Sequence, residues 1–360
     1  MQKVEGIYET DSNLAFLPFH HIFGSTALIM MLACGVRTSF PDGLRYIAQN
    51  LKEYEVSVFV GVPLLVEAIY NKILKEIEKQ GKTKLINNAI KISNALLKIK
   101  IDIRRLLFKQ VLEQLGGKLR FVISGGAPLD PKVQKGWNDL GIKMVQGYGL
   151  TESSPVIAVE DDKYKKIGSI GKALPTLDVK IDEPNEEGIG ELMAKGPSIM
   201  LGYYENEEAT KAALDDDGWF HTGDLARQDK DGYFFITGRM KNVIVLKNGK
   251  NIYPEEIESY LNESPLISES LVIGTHKEND DETYVNAQIF PNKEAITEYL
   301  KGTVPTKEEI KKVISDVIAN VNSKIPNYKH IKDFAIRDSE FEKTTTQKVK
   351  RYGNNMKIDK

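Results

Sequence analysis

The stretch Gln146-Gly147-Tyr148-Gly149-Leu150-Thr151-Glu152-Ser153 carries the strongest indication of both fold and chemistry in this chain. Residues 143–146 predict a short strand, and the glycines after it allow a turn in which the backbone can approach a ligand closely. The Thr151 hydroxyl can donate to a phosphate oxygen, and the Glu152 carboxylate can hold Mg²⁺. A plain strand-to-loop turn with a helix cap explains the same residues equally well.

Strands and helices alternate on the N-terminal side of this stretch, which predicts an α/β architecture up to about residue 155. The segments 55–62 and 118–124 predict buried strands. Between them, apolar residues recur at helical spacing over 65–77, with lysines and glutamates on the opposite face. The lysine-rich segment 82–105 is also expected to be helical. Asp130 is a predicted N-cap, followed by a proline at the first helical position.

The pattern changes on the C-terminal side. Several short strands separated by glycine turns predict a β-rich subdomain after residue 155. A new α/β unit follows Arg239, with a turn at Asn248-Gly249 and a long helix over 307–321. We therefore predict that residues 1–238 belong to a large domain and that residues 239–360 form a small α+β domain.

Composition narrows the class of protein. The 360 residues are 41% hydrophobic and 28% charged with a net charge of -2, so no global positive field favours nucleic acid. Cys34 is the only cysteine and lies in an apolar run, which predicts a buried thiol and suits a reducing compartment. We find neither a signal-peptide pattern nor a run of about 20 apolar residues. A cytoplasmic enzyme is expected, and contact with a membrane surface stays open.

Three further motifs offer groups that could bind a nucleotide. Asp224, in the predicted glycine turn WFHTGDL, could accept hydrogen bonds from ribose hydroxyls. Arg239, which ends GYFFITGR, could pair with phosphate or ribose oxygens through its planar fork. Lys348, which ends FEKTTTQK, could reach a phosphate as a point charge. Each has an ordinary alternative: a turn aspartate bonded to its own backbone, a surface arginine at a domain junction, and a charged chain end.

In this order and spacing, the four motifs resemble the adenylate-forming superfamily of acyl-CoA synthetases, peptide-synthetase adenylation domains and luciferases. The resemblance runs from the LPFHH segment 17–21 to Lys348 and includes the SGGAPL segment 124–129. Residues 344–351 look like those of long-chain fatty acyl-CoA ligases. The resemblance implies part of the large domain of the acyl-CoA synthetase fold, with mixed sheets, and a small mobile C-terminal domain.

The resemblance also implies ligands and residue roles. The implied ligands are ATP or AMP, Mg²⁺ and coenzyme A, with a fatty acid as the acyl substrate. Glu152 would bind the metal, Lys241 would be the hinge, and Gly249 would approach the pantetheine. The implied catalytic residues are Lys348, Thr151, Glu152 and His21. The implied nucleotide and cofactor contacts are Ser124, Gly125, Gly126, Ala127, Gly147, Tyr148, Gly149, Thr151, Asp224, Arg239 and Gly249.

One expected element has no counterpart. The superfamily's Gly/Ser/Thr-rich phosphate loop, ending in Pro-Lys-Gly, should precede Leu17, and residues 1–16 do not resemble it. Such a loop cradles phosphates with backbone N–H groups. We therefore expect a truncated chain, a partial reading frame, or half of a split enzyme with a companion chain, and poor activity of this chain alone. Loading of a carrier protein and a non-catalytic AMP-binding remnant are the alternatives.

Overall fold

The computed structural model describes residues 6–161, 165–276, 282–344 and 349–356, without the side chains of 354 and 356. Its larger sheet has the strand order β2-β1-β3-β4-β5-β6-β7. The strands are β1 Ser12–Leu14, β2 Arg37–Ser39, β3 Val58–Gly61, β4 Phe121–Gly125, β5 Lys143–Gly149, β6 Val156–Val159 and β7 Lys172–Ala173. Pairing is parallel from β2 to β5 and antiparallel from β5 to β7. The predicted α/β class with a mixed sheet is confirmed.

Helices accompany the parallel part of this sheet. They are α1 Ile22–Ala33, α2 Ile47–Glu53, α3 Pro63–Lys79, α4 Thr83–Lys98, α5 Arg104–Leu107, α6 Lys109–Glu113 and α7 Pro131–Asp139. Helix α3 buries the apolar face that its spacing predicts. The predicted N-cap of α7 is also confirmed, because the Asp130 side chain accepts from Lys132 N. The predicted helix over 82–105 is instead divided into α4 and α5, with a positive φ at Lys100 between them.

The core of this part is built on large side chains that the strands and helices share. Trp137 of α7, Phe59 of β3 and Phe108 are almost completely buried and belong to one apolar cluster. Complete burial of one such side chain contributes about 1.5–3 kcal/mol. Cys34 is also buried, as predicted. Among the described residues, no helix is long and apolar enough to cross a membrane.

A second sheet contains the short strands predicted after residue 155. Its order is β11-β10-β9-β8. The strands are β8 Asp178–Asp182, β9 Ile189–Lys195, β10 Phe220–Gln228 and β11 Phe234–Arg239, and helix α8 Glu207–Ala213 precedes β10. Strands β8 and β9 are two of these predicted short strands.

The chain divides into two compact units, residues 1–222 with 227–236, and residues 223–226 with 237–360. The domain boundary at Arg239 stays a prediction. The second unit contains β12 Ile244–Val245, β13 Asn251–Ile252, α9 Pro254–Asn262, β14 Ile267–His276, β15 Thr283–Pro291, α10 Lys293–Tyr299, α11 Lys307–Asn322 and β16 Asp333–Ile336. Strand β15 pairs antiparallel with β14 and parallel with β16. Apolar side chains of α9, α11 and this sheet form its core.

Candidate functional site

The carboxyl ends of β4 and β5 bring together the first group of predicted site residues. In their parallel register Ser124 lies opposite Gln146, and Gly125 lies opposite Gly147. Ligands of open α/β sheets bind outside such strand ends. The predicted turn over Gly147-Tyr148-Gly149 is wrong, because β5 continues to Gly149 and pairs there with β6. The glycines therefore lie on an extended strand instead of a loop.

The glycines at this edge make room for neighbouring backbone. A Cβ atom on Gly149 would lie 1.8 Å from the Pro155 carbonyl oxygen, so any side chain there forces the backbone to move. A Cβ atom on Gly125 would lie 3.3 Å from the Gly147 carbonyl oxygen. Gly126 has a φ of +84°, which favours glycine. At Gly125 and Gly149 neighbouring protein atoms thus occupy the space that a side chain would need. Gly125 is buried, whereas Gly126 is exposed.

Ser124 supplies a buried hydroxyl group at the end of β4. Its side chain is 1% exposed, and its Oγ has no hydrogen-bond partner in the described part of the chain. An unpaired buried hydroxyl costs about 1–3 kcal/mol. A ligand group arriving at the end of β4 could satisfy it.

Thr151 and Glu152 lie on a single turn of 3₁₀ helix, Thr151–Ser153, directly after this strand. Thr151 is exposed. The Glu152 carboxylate accepts from the Tyr203 hydroxyl at 2.9 Å, and its carbonyl accepts from Met200 N at 2.8 Å. Partial burial and the hydrogen bond to Glu152 raise the pKa of Tyr203, which keeps the phenol protonated as a donor. The sequence motif did not reveal this partner, although Tyr203 lies in a segment that shares the family resemblance.

His21 heads the helix that reaches this edge. Its Nδ1 accepts from Phe23 N at 3.2 Å and so caps α1. The Phe23 ring lies 3.2 Å from the position that a Cβ atom on Gly125 would occupy. The first turn of α1 therefore packs beside the glycine edge.

A buried carboxylate accepts a hydrogen bond from the backbone of β5, and sequence reasoning missed it. Glu160 is fully buried and accepts from Gln146 N at 2.9 Å, Gln134 Nε2 at 2.5 Å and Lys166 N at 3.2 Å. Burial raises the pKa of Glu160 to about 7, against the lowering effect of these hydrogen bonds and of Lys165. A glutamate ending the apolar run Val156–Val159 was the available signal.

Asp224 and Arg239 form a second group, within the second unit. Arg239 Nε lies 2.7 Å from Asp224 Oδ1, and the Asp224 side chain is 7% exposed. The predicted turn at Asp224 is wrong: the residue lies inside β10, where alternate residues from Phe220 to Ala226 are buried. This two-residue alternation places the carboxylate on the inward face of the strand.

Two further predicted residues lie on exposed backbone of the same unit. Lys241 is in the 3₁₀ turn Met240–Asn242. Gly249 has a φ of +77° and donates its N–H to the Leu246 carbonyl in the turn between β12 and β13. No atom lies within 4 Å of the position that a Cβ atom on Gly249 would occupy. Glycine is therefore favoured here by its backbone conformation and not by close packing.

The two remaining predicted features are the catalytic lysine and the metal site. Lys348 lies outside the described residues, so its predicted role stays a prediction. No group of three or more His, Cys, Asp or Glu side chains that could hold a metal occurs in the parts of the chain that are described. Magnesium is commonly held by one or two carboxylates together with substrate phosphates. The single carboxylate of Glu152 is consistent with that arrangement.

Comparison with family models gives matches over most of the chain. The model described as "AMP-binding enzyme" matches residues 1–204, and "AMP-binding enzyme C-terminal domain" matches residues 241–355.

Among curated proteins, Long-chain-fatty-acid--CoA ligase FadD15 of Mycobacterium bovis is 30% identical over 94% of this chain and 59% of its own length. Fatty acyl-CoA synthetase B of Dictyostelium discoideum is 28% identical over 96% of this chain and 56% of its own. A chloroplastic long-chain-fatty-acid--[acyl-carrier-protein] ligase of Arabidopsis thaliana, AEE15, is 29% identical over 79% of this chain and 46% of its own. The chain thus spans less than two thirds of the length of these relatives.

Solved structures share the fold. ATP-bound MatB from Rhodopseudomonas palustris superposes with a TM-score of 0.71 at 23% identity, covering 97% of this chain and 60% of that one. MenE from Bacillus subtilis, in complex with ATP and a magnesium ion, gives 0.68 at 24% identity, covering 96% and 61%.

Proposed function

Because this chain belongs to the AMP-binding enzyme family, we propose that it acts as an AMP-forming long-chain fatty acid–CoA ligase. In the first step a fatty acid carboxylate attacks the α-phosphorus of ATP, which forms the acyl-adenylate and releases pyrophosphate. In the second step the thiol of coenzyme A attacks the acyl carbon, which forms the thioester and releases AMP. The long-chain ligases among the relatives support this substrate class.

The observation that carries the proposal is the edge formed by Ser124, Gly125 and Gly147, with Glu152 on the following turn. Gly126 is exposed and Gly147 is partly exposed, which leaves backbone for a nucleotide to approach. The buried Ser124 hydroxyl has unused hydrogen-bonding capacity. Thr151, exposed beside Glu152, would donate to a phosphate oxygen. The family resemblance adds Gly126 and Ala127 to the pocket lining, Tyr148 and Gly149 to the nucleotide contacts, and His21 to the acyl–thiol passage.

Glu152 would hold Mg²⁺, which supplies charge neutralisation where the carboxylate meets the triphosphate. Its carboxylate is already oriented by Tyr203. Asp224 would accept from the ribose hydroxyls, and Arg239 holds that carboxylate by an ion pair at 2.7 Å. Lys348 would neutralise charge between the two anions in the first step.

Nucleotide titration and fatty-acid-dependent exchange of pyrophosphate into ATP test this proposal on the 360-residue chain. Glu152→Gln should abolish Mg²⁺-dependent exchange because the amide is a weaker ligand than the carboxylate. Glu187→Gln, at an exposed position of the same unit, is the matched control. Exchange that survives Glu152→Gln would contradict the metal role. AMP binding without any exchange would favour the non-catalytic alternative.

A carrier protein as thiol acceptor is the second candidate function. It is favoured by the carrier-protein ligase AEE15 among the relatives. Thioester formation measured in parallel with coenzyme A and with a phosphopantetheinylated acyl carrier protein decides between them. A preference for the carrier protein would overturn the coenzyme A assignment.

We also propose a cytoplasmic location and a small C-terminal domain that begins at residue 239 and rotates about Lys241. The buried lone thiol of Cys34 supports the first. Separate matches of the two family models support the second. A companion chain and contact with a membrane surface stay predictions, which affinity capture and vesicle sedimentation of the purified chain would test.

A further inference from the structure

Two short stretches of chain flank residues 345–348, and we call them stem one (341–344) and stem two (349–351). Lys343 and Val349 form an antiparallel bridge between the stems, and Lys350 N donates to the Glu342 carbonyl at 2.9 Å. Phe341 and Val349 pack on Leu271 and its neighbours in β14. The two stems on either side of residues 345–348 therefore lie side by side in this unit.

Asn355 joins the two stems through its side chain. Its Oδ1 accepts from Glu342 N at 3.0 Å. Its Nδ2 donates to the Glu342 carbonyl at 2.9 Å and to the Lys350 carbonyl at 2.8 Å. Both amide hydrogens are thus used, one on each stem. The side chain is fully buried, so water cannot replace these bonds.

The position of Asn355 is itself fixed by the sheet. Its own carbonyl accepts from Gln288 Nε2 at 2.9 Å, and Gln288 of β15 is 1% exposed. The Gln288 side chain also accepts from Arg337 Nη1 at 2.9 Å. The amide that holds the stems is therefore tied to the sheet's central strand.

Stem two has a second, independent attachment. Arg351 Nη1 donates to the Val272 carbonyl at 3.1 Å, and Arg351 Nη2 pairs with Glu258 at 2.5 Å. Stem one is attached by Phe341 N, which donates to Glu269 Oε2 at 3.0 Å. Loss of the Asn355 amide should thus loosen the registration between stems while each stem keeps its own contact with the unit.

We infer that Asn355 is a positioning residue for Lys348, because it fixes the two stems on either side of residues 345–348 against each other. This inference rests on the proposed function, in which Lys348 serves the adenylation step. The Cα atom of Lys348 is about 3.8 Å from that of Val349 by covalent geometry, so a displaced stem two displaces Lys348. A misplacement of about 1 Å can cost about 100-fold in rate. Thioester formation, in which Lys348 has no proposed part, should be spared.

The test compares Asn355→Ala with Asn322→Ala. Asn322 is a matched control because its side chain also holds backbone in this unit, through Ile331 N and O at 3.0 Å each. Hydrogen–deuterium exchange of peptides covering both stems reports their registration without any need for activity. Pyrophosphate exchange reports adenylation, and thioester formation from a preformed acyl-adenylate reports the second step.

We expect Asn355→Ala to speed exchange in stem one at least about tenfold, since Glu342 N loses its acceptor. Adenylation should fall about 10- to 100-fold while thioester formation stays within about threefold. Asn322→Ala should leave the stems and this ratio unchanged. If Asn355→Ala does not fold, Asn355→Leu, which has a similar size and also removes the acceptor for Glu342 N and both donors, is measured in the same way.

Unchanged exchange in the stems would overturn the inference, as would an equal fall in both half-reactions. If the unmodified chain performs neither half-reaction, the proposed function fails and with it the catalytic consequence. The exchange data then still show whether Asn355 registers the stems, so the two failures are distinguishable.

Discussion

Replacing Glu160 by glutamine should remove a pH dependence from the stability of the first unit. Burial raises the pKa of Glu160 from 4.5 to about 7. The raised pKa means that its contribution to stability is fully present below about pH 4.5 and is lost as pH rises through about 7. With these two values, linkage gives a loss of about 2–3 kcal/mol between pH 5 and pH 8.

The glutamine variant keeps the side-chain shape but cannot titrate. Its amide nitrogen must face one of the groups that now donate to Glu160: Gln134 Nε2, Gln146 N or Lys166 N. Two donors in opposition cost about 1–3 kcal/mol. That cost applies at every pH. It lowers the free energy of unfolding of the variant without restoring its dependence on pH.

Urea unfolding at pH 5 and pH 8, followed by tryptophan fluorescence, measures the slope. Trp137 and Trp219 are the only tryptophans of the chain, and both lie in the unit that contains Glu160. We expect the free energy of unfolding of the wild type to fall by about 2–3 kcal/mol more than that of Glu160→Gln between the two pH values. Glu186→Gln, at an exposed position of the same unit, should keep the wild-type slope. Equal slopes for wild type and Glu160→Gln would refute the reasoning.

Three further changes test packing, pairing and capping. Gly149→Ala would put a Cβ atom 1.8 Å from the Pro155 carbonyl oxygen, and we expect a loss of about 3 kcal/mol in denaturant unfolding; an unchanged midpoint would argue against the close approach. Arg351→Ala leaves the Glu258 carboxylate, 14% exposed, without its partner and should cost about 3–5 kcal/mol, part of which Glu258→Gln should recover in a double-mutant cycle. Thr306→Ala removes the N-cap oxygen of α11 and should lower stability by about 1 kcal/mol, whereas Thr306→Ser should retain it.

Apolar periodicity and capping residues predicted the long elements well. The helices beginning at Pro63 and Lys307 follow from residues a turn apart, and Asp130 marks the start of α7 because its side chain caps locally. These interactions span only a few residues, so a short stretch of sequence contains both partners of each one.

The site residues were harder to place where distant strands decide the conformation. Gly147 and Gly149 favour a turn locally, yet pairing with β6 keeps them extended. Gly223 likewise suggests a turn, but the alternating burial of β10 places Asp224 inside a strand. Asn355 and Glu160 act on partners 13 and 14 residues away, and neither residue type reveals such a partner in the sequence.

The way in which the two stems are joined has a consequence for variation and engineering. The bonds from Asn355 reach main-chain atoms of Glu342 and Lys350, so side chains at those two positions can change without breaking them. Residues 345–348 can then be exchanged as a cassette between related chains while the attachment stays the same. A graft into a recipient that lacks an asparagine equivalent to Asn355 should require that residue to be transferred with it.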